Sequence, residues 1–236
     1  IYSSESLAIN AHLVAKYFLN QHIQQAGFKV VITGEGADEV FGGYSHFVED
    51  ALMANQQMDL IHQLHNKFPL VSGLHLAQGQ ALSVKSIQAK LSFVPRFISA
   101  KASLGYRIHS LLDESFLGAW RPLDCFQWLM EAIDFSGQLY KCHPVNQSSY
   151  LWIKLALANY ILKAIGDGVE MAHGLEGRVP FLDHSLFELA RNIPVSLKIY
   201  NLEEKYISRQ ALKNLLPLSI QQRPKHPFLT PPLEWN

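Results

Sequence analysis

A short apolar strand followed by a turn rich in glycine and acids most constrains what this chain can fold into. Residues Val30–Ile32 are all apolar, which predicts a strand that is buried on both faces of a sheet. The residues that follow are Thr33, Gly34, Glu35, Gly36, Ala37, Asp38 and Glu39. Ligands of open α/β sheets bind beyond the carboxyl ends of the strands, so this turn is a candidate ligand site.

The acids of this turn indicate that a cation or a basic partner lies close by. Three carboxylates fall within residues 35–39, and they would repel one another if nothing positive were near. Asp38 offers the hard oxygen that Mg²⁺ prefers, and glycine lets the backbone approach a phosphate closely. The turn therefore predicts a magnesium-nucleotide site. A structural turn whose acids favour the N-terminus of the next helix explains the same residues about equally well.

The composition narrows the class of protein. Hydrophobic residues make up 48% of the 236 residues and charged residues 17%, as is typical of a globular protein. The formal net charge is zero, which gives no support to nucleic-acid or membrane binding. The chain has two cysteines, too few for a disulfide framework, and a reducing cytoplasm is the expected location.

Periodicity and breaker residues predict a mostly helical chain around this strand. The predicted helices cover 6–25, 151–165, 185–191 and 203–216. Gly27 is a good stop for the first of them. The segment 151–165 is apolar almost all round, which predicts a central buried helix. Residues 51–145 are also predicted to be mostly helical, with breaks at prolines and glycines.

Basic residues near the end of the sequence are candidate anion ligands. Lys205 and Arg209 are spaced i,i+4, so the predicted helix places both cations on one face, which is mildly unfavourable unless an anion sits between them. Lys225, beside two prolines, adds a third positive charge. A solvated basic face is the alternative and is the better explanation of this segment on its own.

Two further groups of residues also have a structural explanation. Glu176 and Arg178 stand among apolar neighbours, and a buried ion pair that holds the core explains them as well as a functional role does. His173 and His184 lack an i,i+4 histidine partner. We interpret them as capping or core residues rather than metal ligands.

Four motifs in order resemble the synthetase domain of glutamine-hydrolysing asparagine synthetases. They are residues 30–39 with Gly42-Gly43-Tyr44, residues 170–184, Lys205-Tyr206 with Arg209, and Arg223-Pro224-Lys225. The resemblance implies part of an α/β ATP-pyrophosphatase fold, the edge of a parallel sheet with a large, mostly helical remainder. One domain would span 1–236, with an α/β nucleotide-site piece (1–50), a variable helical region (51–145) and a helical region with pyrophosphate-side residues (146–236).

The resemblance also implies ATP-dependent amide formation, with ATP and Mg²⁺ as cofactors. The side-chain carboxylate of aspartate would attack the α-phosphate to give β-aspartyl-adenylate and pyrophosphate, and ammonia from glutamine would then displace AMP. The implied roles are catalysis for Glu35 and Lys205, ATP binding for Thr33, Gly34 and Gly36, pyrophosphate binding for Lys205, Arg209 and Lys225, and metal binding for Asp38. The implied partners are these small molecules, an N-terminal glutaminase domain and a second copy in a homodimer.

The chain departs from the family pattern in ways that leave alternatives open. Gly168 stands where the family usually has a basic residue, and Gly174 replaces a small hydroxyl residue. A pyrophosphate loop of the Ser-Gly-Gly-x-Asp-Ser type and the glutaminase domain are not among these residues, so we expect this segment alone to be an inactive piece of a longer ligase. The alternatives are a non-catalytic remnant that serves only interaction and a sibling synthetase that acts on another carboxylate. Glu35 argues against β-lactam synthetase, which is similar here but carries tyrosine at this position.

Overall fold

The computed structural model describes residues 2–4, 11–67, 81–118, 124–221 and 223. These residues form a mixed α/β structure that is mostly helical, in agreement with the sequence. The chain divides into two compact units. The first comprises Ile1–Gly43, Tyr150–Lys198 and Lys205–Asn236, and the second comprises Tyr44–Ser149 and Ile199–Glu204. Within the described part of the chain, every helix is too short or too polar to cross a membrane.

The helices account for most of the described residues. The α-helices are α1 (His12–Gln25), α2 (Ala37–Phe41), α3 (Ser45–Ala54), α4 (Met58–Lys67), α5 (Lys85–Leu91), α6 (Arg96–His109), α7 (Glu114–Gly118), α8 (Cys125–Glu131), α9 (Pro144–Trp152), α10 (Gly168–Met171), α11 (His184–Arg191), α12 (Val195–Lys198), α13 (Tyr206–Ala211) and α14 (Leu218–Gln221). Two π-helices, Phe135–Leu139 and Ile153–Asp167, and two 3₁₀ turns, Tyr2–Ser4 and Pro180–Leu182, complete them. The strands are β1 (Val30–Ile32), β2 (Glu176–Arg178), β3 (Ile199–Tyr200) and β4 (Glu203–Glu204).

A parallel pair of strands, β1 and β2, lies at the centre of the first unit. Val31 is paired with Gly177, and the register continues to Ile32 and Arg178. The predicted strand is confirmed, but its predicted burial on both faces is wrong. Val30 is 40% exposed and Ile32 is 74% exposed, because within the described residues no element covers the face that carries them. The helices of the unit pack on the other face, where α10 contacts β2.

The long helix beyond Trp152 packs against α1. Leu157, Ile161 and Ile165 form a buried cluster with Leu13 of α1, so the helix buries one stripe. The predicted helix over 151–165 is therefore confirmed, whereas burial all round is wrong, since Lys154 and Asn159 are exposed. The α1 helix ends before Gly27 as predicted; residues 6–10 of that prediction lie outside the described residues.

The segment before Lys205 differs from the prediction of a helix over 203–216. Strands β3 and β4 form an antiparallel hairpin within the second unit. Its two turn residues, Asn201 and Leu202, have φ angles of 46° and 64°, the left-handed values of a type I′ hairpin turn. Helix α13 begins only at Tyr206. By contrast, α11 forms almost as predicted, because the Asp183 carboxylate caps it by accepting hydrogen bonds from two backbone N–H groups of its first turn, at 2.9 and 3.1 Å.

The second unit buries two neighbouring acids on α3. Glu49 is 2% exposed and lies 2.6 Å from Nε of Arg96 and 3.3 Å from Nε2 of His65. Asp50 is equally buried, and its Oδ1 accepts a hydrogen bond of 3.0 Å from the backbone N–H of Arg96 at the start of α6. Burial raises the pKa of Asp50 to about 7, because an apolar surrounding disfavours the charged form.

We predict that Asp50 makes the stability of the protein fall as the pH rises from about 4 to 7. The folded carboxyl holds its proton up to a pKa of about 7 and the unfolded one only up to 3.8, so its contribution is present below pH 4 and is lost as the pH passes through the folded pKa. Each unit of difference corresponds to about 1.4 kcal/mol. Asp50→Asn should flatten this part of the profile, measured as the free energy of unfolding in denaturant. Asp59→Asn, at an exposed acid of α4, is the control. An unchanged slope in Asp50→Asn would contradict the prediction.

Candidate functional site

The turn after β1 presents polar groups beyond the carboxyl end of the strand. The backbone N–H of Thr33 donates a 2.9 Å hydrogen bond to the carbonyl of Arg178, which extends the pairing of β1 with β2. The Oγ1 of Thr33 is buried, and no described group hydrogen-bonds to it. Gly34 faces open space, since no described atom outside its chain neighbours lies within 4 Å of a Cβ built there. Thr33 and Gly34 therefore leave an unsatisfied hydroxyl and an open backbone surface where the sequence predicts a nucleotide.

Asp38 and Lys205 form an ion pair between distant parts of the chain. Nζ of Lys205 lies 2.8 Å from Oδ1 of Asp38, and the side chains are 26% and 27% exposed. The pair joins α2, which follows the turn, to the start of α13, and these two helices are in contact. Lys205 has a φ of 54°, a left-handed conformation that costs a lysine on the order of 1 kcal/mol or more. The surrounding structure holds this cation against the acid.

Glu35 has a cation of its own. Nζ of Lys16, on α1, lies 2.8 Å from Oε1 of Glu35, and the two side chains are 20% and 25% exposed. The third acid of the turn, Glu39, is buried, and its Oε1 accepts a 3.0 Å hydrogen bond from Nε1 of Trp152. Each acid of the turn thus has a separate partner.

Two glycines near the turn, Gly36 and Gly43, leave space that other side chains fill. Gly36 directly precedes α2 with a φ of 90°, and the side chain of Leu182 occupies the space that a Cβ on Gly36 would take. A Cβ on Gly43 would collide with the carboxylate and the Cα of Asp38. Gly43 also donates a 2.7 Å backbone hydrogen bond to the carbonyl of Asp38. The position of the Asp38 carboxylate therefore depends on the missing side chain of Gly43.

The remaining candidate residues are Arg209, Lys225, Glu176 and Arg178. The N–H of Arg209 donates to the carbonyl of Lys205 at 2.9 Å, so Arg209 follows Lys205 by one turn although the helix begins after the lysine. Lys225 lies outside the described residues. The ion pair of Arg178 with Glu176 forms at 2.8 Å, but the side chains are 62% and 60% exposed. The prediction of a buried pair is wrong, because both residues lie on the uncovered face of the β1–β2 sheet.

The predicted metal site depends on a single carboxylate, that of Asp38. The described residues hold no group of three or more His, Cys, Asp or Glu side chains arranged for a metal ion. Magnesium in nucleotide sites needs only one or two carboxylates besides phosphate oxygens and water, so Asp38 fits such an ion without a larger cluster. His173 is buried and packs edge-on against Tyr17, with ring centroids 4.4 Å apart; it is a core residue, as interpreted from the sequence.

Lys16 and Trp152 lie outside the four sequence motifs, and Glu170 lies in the second motif without a predicted role. Glu170 is 7% exposed and lies on α10. Burial raises the pKa of its carboxyl; the positive charge of Lys16 lowers it, and the carboxylates of Asp167 and Glu35 raise it further.

Comparison with known proteins decides the family. The family described as asparagine synthase matches residues 1–236. The chain belongs to the asparagine synthase family. Members of this family use ATP, and the resemblance of the four motifs to asparagine synthetases is confirmed.

Several curated proteins are similar to this asparagine synthase-family chain. Amidase chry2 of Gibberella zeae is 29% identical over 92% of the chain and 34% of its own length. A putative glutamine-hydrolysing asparagine synthetase of Mycobacterium tuberculosis is 29% identical over 88% of the chain and 30% of its own length. Asparagine synthetase 1 of Bacillus subtilis is 27% identical over 98% of the chain and 34% of its own length. The chain thus spans about a third of the length of these relatives. No solved structure matches it.

We predict that Gly43→Ala displaces the Asp38 carboxylate and destabilises the protein. The added methyl group overlaps backbone as well as side-chain atoms of Asp38, and such overpacking costs about 1–3 kcal/mol. Denaturant unfolding measures the loss. Gly118→Ala is the matched control, because no described atom outside its neighbours lies within 4 Å of a Cβ at Gly118. Equal stabilities of the two variants would show that Asp38 is not held against Gly43.

Proposed function

We propose that this chain is the synthetase part of an ATP-dependent amide-forming ligase that converts aspartate to asparagine through β-aspartyl-adenylate. The observation that carries the proposal is the Asp38–Lys205 ion pair of 2.8 Å. It links the glycine-rich, acidic turn after β1 to a lysine 167 residues away. A metal-binding acid and a phosphate-binding cation at one place are what an adenylation site requires.

The residues around this pair have distinct roles in the proposal. The backbone of Gly34 and Gly36 and the hydroxyl of Thr33 contact ATP. Lys205 neutralises the charge that develops on the α-phosphate and on the leaving pyrophosphate. Asp38 holds Mg²⁺, which supplies charge neutralisation on the phosphates. Glu35 orients the acyl-adenylate and the incoming ammonia.

Further cations extend the proposed pyrophosphate site. Arg209 follows Lys205 by one turn, and Lys225 adds a third charge. Both would bind the pyrophosphate as it leaves, since basic side chains are ordinary partners of phosphate oxygens. Ammonia comes from glutamine through a glutaminase domain of the longer protein, which works in the cytoplasm and forms a homodimer.

Two alternatives have specific observations in their favour. Relatives named amidases, including chry2 and a Penicillium rubens protein named chyE that is 28% identical, favour a sibling enzyme that amidates another carboxylate. Gly168, at the first position of α10, offers no side-chain charge, which favours a non-catalytic remnant. Intact pairs at Glu35 and Asp38 support an active site over a remnant.

We predict that the full-length protein that carries this chain forms asparagine, AMP and pyrophosphate from aspartate, glutamine and ATP. Product analysis with labelled ATP distinguishes AMP from ADP, and a panel of other carboxylates tests the alternative of a sibling enzyme that amidates another carboxylate.

Glu35→Gln and Lys205→Met should each lower kcat by about 100-fold or more, while Lys29→Met, at an exposed lysine, should not. The 236-residue chain alone should not exchange labelled pyrophosphate into ATP. Formation of ADP and phosphate, or no nucleotide turnover with any carboxylate, would refute the proposed reaction.

A further inference from the structure

Lys16 reaches the candidate site from a firmly packed helix. Its neighbour Tyr17 packs against His173 at 4.4 Å between ring centroids, and Leu13, one turn earlier, is 3% exposed in the core cluster. The α1 helix also contacts α10. The backbone of Lys16 is therefore fixed relative to the turn that carries Glu35, and the 2.8 Å ion pair with Glu35 is not a contact between two mobile surface chains.

The carboxylate of Glu170 occupies a space that is open only because residue 177 is a glycine. The carboxylate of Glu170 fills the space that a Cβ on Gly177 would take, and all three of its outer atoms lie within 3 Å of that position. Gly177 is the middle residue of β2 and is paired with Val31 of β1. Glu170 thus places a buried carboxylate on the covered face of the sheet, beneath the start of the glycine–acid turn.

Lys16 is the cation that these carboxylates share. Lys16 forms the ion pair with Glu35 directly, and its helix contacts α10, which carries Glu170. The positive charge of Lys16 partly offsets the rise in the pKa of Glu170 that burial causes. The side chain of Glu35 then has one preferred direction, since a charged donor at 2.8 Å restricts its rotamers.

We propose that Lys16 is a positioning residue for Glu35, and that Glu170, whose carboxylate lies against Gly177, holds Lys16 in place. The proposal rests on the proposed function for its catalytic consequence, because Glu35 acts on the acyl-adenylate there. Lys16 itself contacts no reacting atom in the proposal. Its effect is on the orientation of Glu35, and a misplaced catalytic group loses rate rather than ATP affinity.

The first experiment separates positioning from binding in the full-length protein. Lys16→Met should lower kcat for amide formation about 10- to 100-fold and leave the KM for ATP within about twofold. Lys16→Arg should recover most of the rate, because guanidinium also pairs with carboxylate. Lys29→Met is the matched control at an exposed lysine. A rise in the KM for ATP with unchanged kcat, or no recovery by arginine, would overturn the positioning role.

The second experiment tests the contact between Glu170 and Gly177 by a double-mutant cycle. Gly177→Ala should lower kcat by displacing the Glu170 carboxylate, and Glu170→Ala should lower it to a similar extent. In the Glu170→Ala background, Gly177→Ala should then have little further effect, since the space is empty. Gly118→Ala controls for loss of glycine. Fully additive effects on kcat would overturn the link between Glu170 and Gly177.

The third experiment does not depend on any enzymatic activity. Acetylation of the Lys16 amine by acetic anhydride, followed by peptide mass spectrometry, reports how well the lysine is held. Glu35→Gln and Glu170→Gln should each speed the modification of Lys16 several-fold and leave that of Lys29 unchanged. If the protein makes no amide but these rates change as expected, the proposed function fails and the charge arrangement stands. Unchanged rates in both variants would overturn the arrangement itself.

Discussion

The parallel pairing of β1 with β2 is the constraint on which the candidate site depends. Only three residue pairs form it, yet they bring together segments that are far apart in the sequence. The pairing orders the turn that begins at Thr33, whose N–H bonds to Arg178. It also sets Gly177 beside Val31 and so makes room for Glu170. Because a short parallel ladder is weak by itself, the helices packed on one face must hold it, and α10 contacts both β2 and α1.

The acids of the turn are accommodated by three different partners rather than by one. Glu35 pairs with Lys16, Asp38 with Lys205, and Glu39 with the indole of Trp152. The repulsion expected from the sequence is therefore relieved by other side chains of the chain. Each partner comes from a separate segment of the chain, so the turn cannot form its charge pairs until these segments have packed around it.

Local patterns predicted the elements whose signals lie within a few residues. Strand β1 is a plain apolar run, and α11 has its cap in Asp183. The hairpin before Lys205 could not be predicted in this way, because Leu202 has a positive φ for which leucine gives no signal. The resemblance placed Asp38 and Lys205 in one site before the structure showed them paired. Lys16 belongs to no such motif, and Glu170 lies within residues 170–184 without a predicted role. Its position against Gly177 depends on which residues oppose each other across the fold.

The degree of burial separates the charges that can exchange partners from those that cannot. Glu49 of the second unit is buried beside Arg96, and removing one partner of such a buried pair costs about 3–5 kcal/mol. The Asp38–Lys205 pair is 26–27% exposed, and ion pairs nearer the surface contribute only about 0–1 kcal/mol. Phosphate oxygens could therefore replace Asp38 as the partner of Lys205 with little loss in the free energy of unfolding. The proposed site would bind and release a charged nucleotide, and a partly exposed pair such as Asp38–Lys205 suits that role better than a buried one.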